Sequence, residues 1–162
     1  MLGIDFGTSN SAAALMTDAG QLLHIPLEGT SSSLPTALFF SNEDGRVHYG
    51  AAALRTYLSG EEGRLLRSIK SLLGSALMDE QTLVNGRPTS LFEIVVMFLR
   101  EVKTRSEAHL GQPLHAAMMG RPVHFVDDNP TRDALAQNTL ERAAREAGFS
   151  HVEFQLEPIA AA

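Results

Sequence analysis

The chain has no cysteine, so neither a disulfide nor a thiolate metal site can support it, and it suits the reducing cytoplasm, where we expect it. It also lacks a basic run: 13 Lys and Arg against 19 Asp and Glu leave a net charge of −6. Nucleic acid and anionic membrane surfaces are therefore not expected as partners. The longest strongly apolar run, Ile94-Val-Val-Met-Phe-Leu99, is far too short to cross a bilayer. Met1 leads straight into an apolar strand, so no signal peptide is expected. The two commonest phosphate loops, G-x-x-x-x-G-K-[ST] and G-x-G-x-x-G, are both absent. The 6 histidines are scattered over different elements with no His-x-x-x-His pair, and no metal site is expected from them. No Ser-His-Asp or Cys-His arrangement follows from spacing. What is left is an ordinary globular composition, 44% hydrophobic and 20% charged over 162 residues, enough for one domain or one large lobe.

The most informative segment is the first, Met1-Leu-Gly-Ile-Asp-Phe-Gly-Thr-Ser-Asn-Ser11. A short apolar strand runs into Asp5 and Gly7, then a row of small hydroxyl and amide side chains, then a second apolar stretch, Ala12 to Met16. This is a hairpin whose turn is built to hold something. Gly7 lets the backbone approach a ligand, and Thr8, Ser9 and Asn10 offer N–H and O–H donors in the same turn. Asp5 would repel phosphate but suits a hydrated divalent cation. Together they fit a nucleoside triphosphate carrying Mg²⁺.

Residues 2–7, 11–17 and 20–26 predict a three-strand meander, followed by a strand over 34–40 and a hairpin through Asn42-Glu-Asp-Gly45 to 47–49. A helix is expected from Tyr49 to about Ser59-Gly60. Ser90-Leu-Phe-Glu93 is a capping box, with Ile94, Val95, Phe98, Leu99 and Val102 on one face behind it and Glu101 paired to Arg105 on the other. Asn129-Pro130 opens another helix, whose stripe of Ala136, Leu140, Ala143 and Ala147 is small enough to lie close on a sheet, with Gly148 as its stop. Strands at 114–119 and 151–156 flank that helix and predict a right-handed parallel unit.

These residues carry a family resemblance. Asp5-Phe-Gly-Thr-Ser-Asn10 resembles the first phosphate motif of the actin, sugar-kinase and heat-shock-chaperone ATPase superfamily, and most of all that of DnaK-type chaperones. Ile69-Lys70-Ser-Leu-Leu-Gly74 resembles the Lys-containing segment after the first small subdomain of those chaperones. Gly120-Arg-Pro-Val-His-Phe125 stands where they have Val-Pro-Ala-Tyr-Phe. Leu140 to Phe149 and Glu157-Pro-Ile-Ala-Ala-Ala162 are similar to the segments that follow. The Gly-Arg-Pro variant looks most like the shorter, divergent bacterial members.

The resemblance implies an α/β fold: the N-terminal lobe of an actin-like, ribonuclease H-like ATPase. Its mixed five-stranded sheet has the order 3-2-1-4-5, and a smaller α/β insertion spans about 27–112. It implies ATP or ADP with Mg²⁺ as ligands. Gly7, Thr8, Ser9 and Asn10 would cradle phosphate, Asp5 and Glu157 would reach the metal, and Lys70 would stabilise charge on the transferring phosphoryl group. Arg121 and Pro122 match the region that couples ATP state to lobe rotation, and Arg132 lies near it. His124, where the chaperones have Tyr, is expected to pack or hydrogen-bond. The second phosphate hairpin and the Gly-Gly adenosine motif of the family are absent, since no Gly-Gly pair occurs. Glu157 to Ala162 is accordingly expected to be an artificial end, with the partner lobe of the same chain missing. A dimer through the exposed lobe face and unfolded client proteins for the whole protein are further expectations. A metabolite kinase, which would need a carboxylate base in the cleft, and a filament-forming actin-like protein are the alternatives on the same superfold. Only the Lys70 segment separates them.

Overall fold

The computed structural model describes residues 1–17 and 19–156. Glu157, with the rest of the Glu-Pro-Ile-Ala-Ala-Ala segment, lies outside the described residues. The main sheet is mixed, with strand order β11-β10-β1-β2-β3. That path comprises β1 (Leu2–Phe6), β2 (Asn10–Met16), β3 (Leu22–His24), β10 (Ala116–Arg121) and β11 (His151–Leu156), and a sixth strand beyond the expected five pairs with β2 off the path. β1 runs antiparallel to β2 and parallel to β10, which is in turn parallel to β11. This is the expected 3-2-1-4-5 order. The fourth strand begins and ends two residues later than the expected 114–119, because Glu107 on the preceding helix takes the Leu114 amide at 2.7 Å and holds it out of the ladder.

One face of this sheet is covered by α2 (Leu91–Leu110) and α3 (Pro130–Glu146). Period-two alternation points Leu2, Ile4, Phe6, Ala117 and Met119 into the shared core, where each is essentially buried. Phe98 of α2 meets the Phe6 ring at 5.8 Å between centroids. Ile94, Val95, Phe98, Leu99 and Val102 are each 0% exposed, as the helical period requires. Burial of side chains of this size contributes roughly 1.5–3 kcal/mol apiece. The α2 capping box is complete, Ser90 Oγ accepting from the Glu93 amide and Glu93 Oε2 from the Ser90 amide. On α3, Asn129 caps the start and Ala136, Leu140 and Ala143 lie fully buried, so the helix can pack closely.

The expected strand over 34–40 is two strands. β4 (Ser33–Pro35) pairs with β2, whereas β5 (Ala37–Ser41) leaves for a second, three-stranded sheet with β6 (Val47–Tyr49) and β7 (Gly63–Arg67). The break falls just after Thr36, whose amide donates to Ser9 O at 2.9 Å, one step beyond the Asn10–Pro35 pair in the same register, before the chain leaves for the second sheet. α1 (Gly50–Leu58) follows β6 as expected. Between it and α2 lie elements the patterning did not predict. β7 requires Gly63, because a Cβ there would stand 2.3 Å from Phe40 O. Short 3₁₀ helices follow at Ile69–Leu72 and Ala76–Asp79, and then a hairpin of β8 (Gln81–Val84) and β9 (Arg87–Ser90). Leu38 and Phe40 of the second sheet belong to the same hydrophobic core as the main sheet.

Candidate functional site

The turn between β1 and β2 is held from behind. Thr36 Oγ1 donates to Gly7 O at 2.9 Å and is 2.9 Å from Ser11 Oγ, while the Thr36 amide donates to Ser9 O at 2.9 Å. Ser11 and Thr36 are nearly sealed from solvent, at 1% and 2% exposure. Two of the turn's carbonyls are thus consumed on the inner side. Thr8, Ser9 and Asn10 are exposed on the outer side. The tightness of the turn explains Gly7: a Cβ at that position would lie 2.1 Å from Asn10 O, a clash with backbone that cannot rotate away. The role the sequence suggested for Gly7, access for a ligand, is joined by a steric requirement inside the turn itself.

Asp5 sits near the end of β1, on the sheet face opposite α2 and α3, and is exposed. That face is built from small residues: Gly3, Ala12, Ala14 and Gly120 line a shallow concavity of about 450 Å³ with Asp5 and Met118. The turn and Asp5 lie toward the C-terminal end of β1. Because β1, β10 and β11 are parallel neighbours, their C-terminal ends share one edge of the sheet, the edge at which open α/β sheets bind ligands.

Lys70 lies in the 3₁₀ helix Ile69–Leu72, half-buried, with its Nζ 5.9 Å from the centre of the Phe125 ring. Phe125 follows β10, so this contact brings the Lys70 segment to the loop leaving the same sheet edge. The segment is fastened by Gly74, whose φ is +75°. A Cβ on Gly74 would lie 2.5 Å from Arg132 O, and its own carbonyl accepts from Arg132 Nε at 3.1 Å. The Lys70-to-Gly74 spacing therefore places a lysine and docks it against the start of α3.

Arg121 has an anchoring role in this geometry. Its Nη2 pairs with Asp133 Oδ2 at 2.9 Å, its Nη1 hydrogen-bonds Gln137 Oε1, and its guanidinium lies over the Phe125 ring at 5.2 Å. Asp133 also accepts from the Phe125 amide at 2.6 Å. The Arg121 hydrogen bond is the main reason the Asp133 carboxyl is held below its ordinary 3.8. The Phe125 ring thus has two cations, Arg121 and Lys70, within about 6 Å of its centre.

The donor set suits the ligand that the turn suggests. Exposed Thr8, Ser9 and Asn10 carry donors of the kind that suit an anion, and the carboxylate of Asp5 near the same end is of the kind that suits a hydrated cation accompanying it. The residue sequence reasoning missed is Thr36. Its signal was a Pro-Thr pair after a serine-rich loop, too common to single out.

No family model matches the chain. Among curated proteins it is similar to the chaperone protein DnaK of Endomicrobium trichonymphae, 34% identical over 147 residues, which covers 87% of this chain and 23% of that protein. The chaperone protein DnaK of Methanothermobacter thermautotrophicus is 32% identical over 164 residues, covering 99% of this chain and 26% of its own length. That of Elusimicrobium minutum is 31% identical over 166 residues, with 100% and 25% covered. The chain spans about a quarter of the length of the curated relatives it matches.

Proposed function

The chain belongs to the DnaK-type chaperone family, as an N-terminal lobe of its actin-like ATPase fold, and on that premise we propose that it holds the phosphates and metal of Mg-ATP. The observation that carries this reading is the buttressed turn. Thr36 occupies the carbonyls of Gly7 and Ser9 from within, leaving Thr8, Ser9 and Asn10 at the solvent side of the C-terminal sheet edge. Those three residues would hold phosphate oxygens through backbone N–H and side-chain O–H groups. Asp5 would orient water around the Mg²⁺, and Glu157, next in sequence after β11, would supply a second carboxylate. Mg²⁺ supplies charge neutralisation on the phosphates when bound. Lys70 brings a positive charge to the same edge, with Phe125 and Arg121 fixing where its segment docks. A charge fixed in advance stabilises a developing oxyanion without reorganisation at the moment of reaction.

The matched relatives are about four times as long as the aligned segment. We accordingly assign the adenine and the far side of the phosphates to a second lobe, and ATP hydrolysis and the binding of unfolded protein clients to the larger protein. The small second sheet and its helix, within about 27–112, form the insertion of this lobe. A cytoplasmic setting agrees with the absence of cysteine.

Titration of the ¹⁵N-labelled chain with Mg-ATP, followed by amide shifts, tests the reading. Shifts should concentrate at Thr8, Ser9 and Asn10 and saturate with a Kd on the order of 1 mM, as befits one donor-rich turn acting alone. Lys70→Ala should leave that weak affinity nearly unchanged, since the lysine is assigned to the transition state. Saturable shifts centred on the second sheet, with the turn silent, would overturn the assignment.

A further inference from the structure

The β5–β6 hairpin carries a second set of charged side chains, remote in sequence from the phosphate turn. Asp44 lies in the hairpin turn, His48 in β6, and Glu61 in the turn between α1 and β7. One ligand atom from each lies within 4.8 Å of the others. His48 Nε2 is buried and has no hydrogen-bond partner among the described residues, and Asp44 Oδ2 stands 3.8 Å from it. A buried ring nitrogen left without a hydrogen-bond partner is costly, so its retention beside the Asp44 carboxylate, with Glu61 close to the same ring, asks for a reason.

We propose that Asp44, His48 and Glu61 form a divalent metal site for a borderline ion of the Zn²⁺ type, with the fourth position open to water. Two carboxylates and a neutral imidazole balance a charge of 2+. One nitrogen donor among the three selects against Mg²⁺, which prefers an all-oxygen octahedron. Zinc bonds of about 2.0–2.1 Å place tetrahedral donors roughly 3.3 Å apart, so atoms within 4.8 Å of one another need to draw together by at most about 1.5 Å.

The backbone around them is already fixed. Ser41 Oγ accepts from the amides of Glu43 and Asp44, each at 3.1 Å, and the Asn42 amide donates to Glu62 O at 2.9 Å, tying one turn to the other. Asp44 Oδ1 takes the Arg46 amide at 2.8 Å, which leaves Oδ2 toward His48. Arg46 Nε approaches the same Oδ2 at 3.7 Å, but that side chain is 80% exposed and can swing away. The metal would staple the hairpin to the turn that delivers β7, the strand beside β5 in the second sheet. Sequence spacing concealed the site because Glu61 arrives from a separate turn after α1.

Zn²⁺ titration of the whole chain against a chromophoric chelator, without Mg²⁺ or nucleotide, is the test. We expect one ion per chain with a Kd of about 10 μM or tighter. Glu61→Gln and His48→Gln should each weaken it at least tenfold, while His151→Gln, in the exposed pair with Glu153, leaves it unchanged. Co²⁺ should give visible absorption of tetrahedral intensity that is lost in the same two variants. The proposal falls if Zn²⁺ binding is not stoichiometric, if Glu61→Gln binds like the parent chain, or if millimolar Mg²⁺ displaces Zn²⁺. Should His48→Gln fail to fold by circular dichroism, Glu61→Gln still decides, because its side chain lies in a turn outside the hydrophobic core.

Discussion

Two tight turns in this molecule solve the same backbone problem with opposite polarity. In the β1–β2 turn the carbonyls of Gly7 and Ser9 are satisfied from inside by Thr36, and Thr8, Ser9 and Asn10 lie exposed. In the β5–β6 turn the amides of Glu43 and Asp44 are satisfied from inside by the Ser41 hydroxyl, and the Asp44 carboxylate turns to the Arg46 amide and His48. Buried backbone groups must be paired, and whichever kind is paired within decides which kind is offered to solvent. One turn spends its buried hydroxyl on a carbonyl and the other on two amides, although both are short hairpin connections beside apolar strands. A hydroxyl donates and accepts, so one buried Thr or Ser can set either polarity.

The contrast is sharpest at the glycines. Gly7 has no room for a Cβ, with Asn10 O at 2.1 Å, whereas Gly45 has nothing within 4 Å and is constrained by its φ of +69° alone. Gly7→Ala forces the turn open and should cost about 3 kcal/mol, the upper range for an overpacked position. Gly45→Ala pays only the left-handed backbone penalty, about 1 kcal/mol. Urea unfolding of the two variants would measure the difference. A Gly7→Ala chain no less stable than Gly45→Ala would show that the first turn has slack that the distances deny.

A smaller effect is expected from the hydroxyls. Thr36→Val keeps the shape but strands the Gly7 carbonyl and the buried Ser11 hydroxyl, which should cost roughly 2 kcal/mol. Ser41→Ala removes an acceptor from two amides that sit in an exposed turn, where water can replace it, at about 1 kcal/mol. Equilibrium unfolding should rank Thr36→Val as the more damaging. The reverse order would mean that the β1–β2 turn does not depend on its inner buttress.

The legible part of the fold was what periodicity and caps encode. Leu2, Ile4 and Phe6 alternate, Ile94 to Val102 recur on a helical face, and Ser90 with Glu93 caps that helix; all behave as their spacing demands. Asn85-Gly86 was an equally clear hairpin signal, with φ of 48° and 74°, and went unread because its strands are mostly polar and short. The division at Thr36 was hidden for a different reason. Leu34 to Phe40 is one apolar run, and nothing local says that its two halves pair with different sheets. The β1–β2 turn was legible in the sequence, but not Thr36 behind it, since a long-range hydrogen bond leaves no periodic trace. Likewise the Lys70 segment was placed by its lysine and glycine, while the Phe125 ring beneath it was not foreseen.

The last and smallest effect concerns acid. Asp133 joins the loop after β10 to α3, and its carboxyl is held below 3.8 chiefly by the Arg121 hydrogen bond, with the Phe125 amide assisting against burial. A carboxyl whose folded pKa lies below its unfolded one contributes stability that is fully present above the unfolded value. The contribution disappears as pH falls through the folded value. Wild type should therefore exceed Asp133→Asn in stability at pH 6 by an amount that shrinks steadily below about pH 4. Because Arg121 then loses its anionic partner, the loop carrying Phe125 should loosen first, and Lys70 with it. Urea midpoints of the two proteins, read across that range, test the stability claim, and amide exchange at Phe125 tests the locality. A stability gap that widens toward low pH would reverse the sign of the argument and make burial, not the arginine, the dominant influence on this carboxyl.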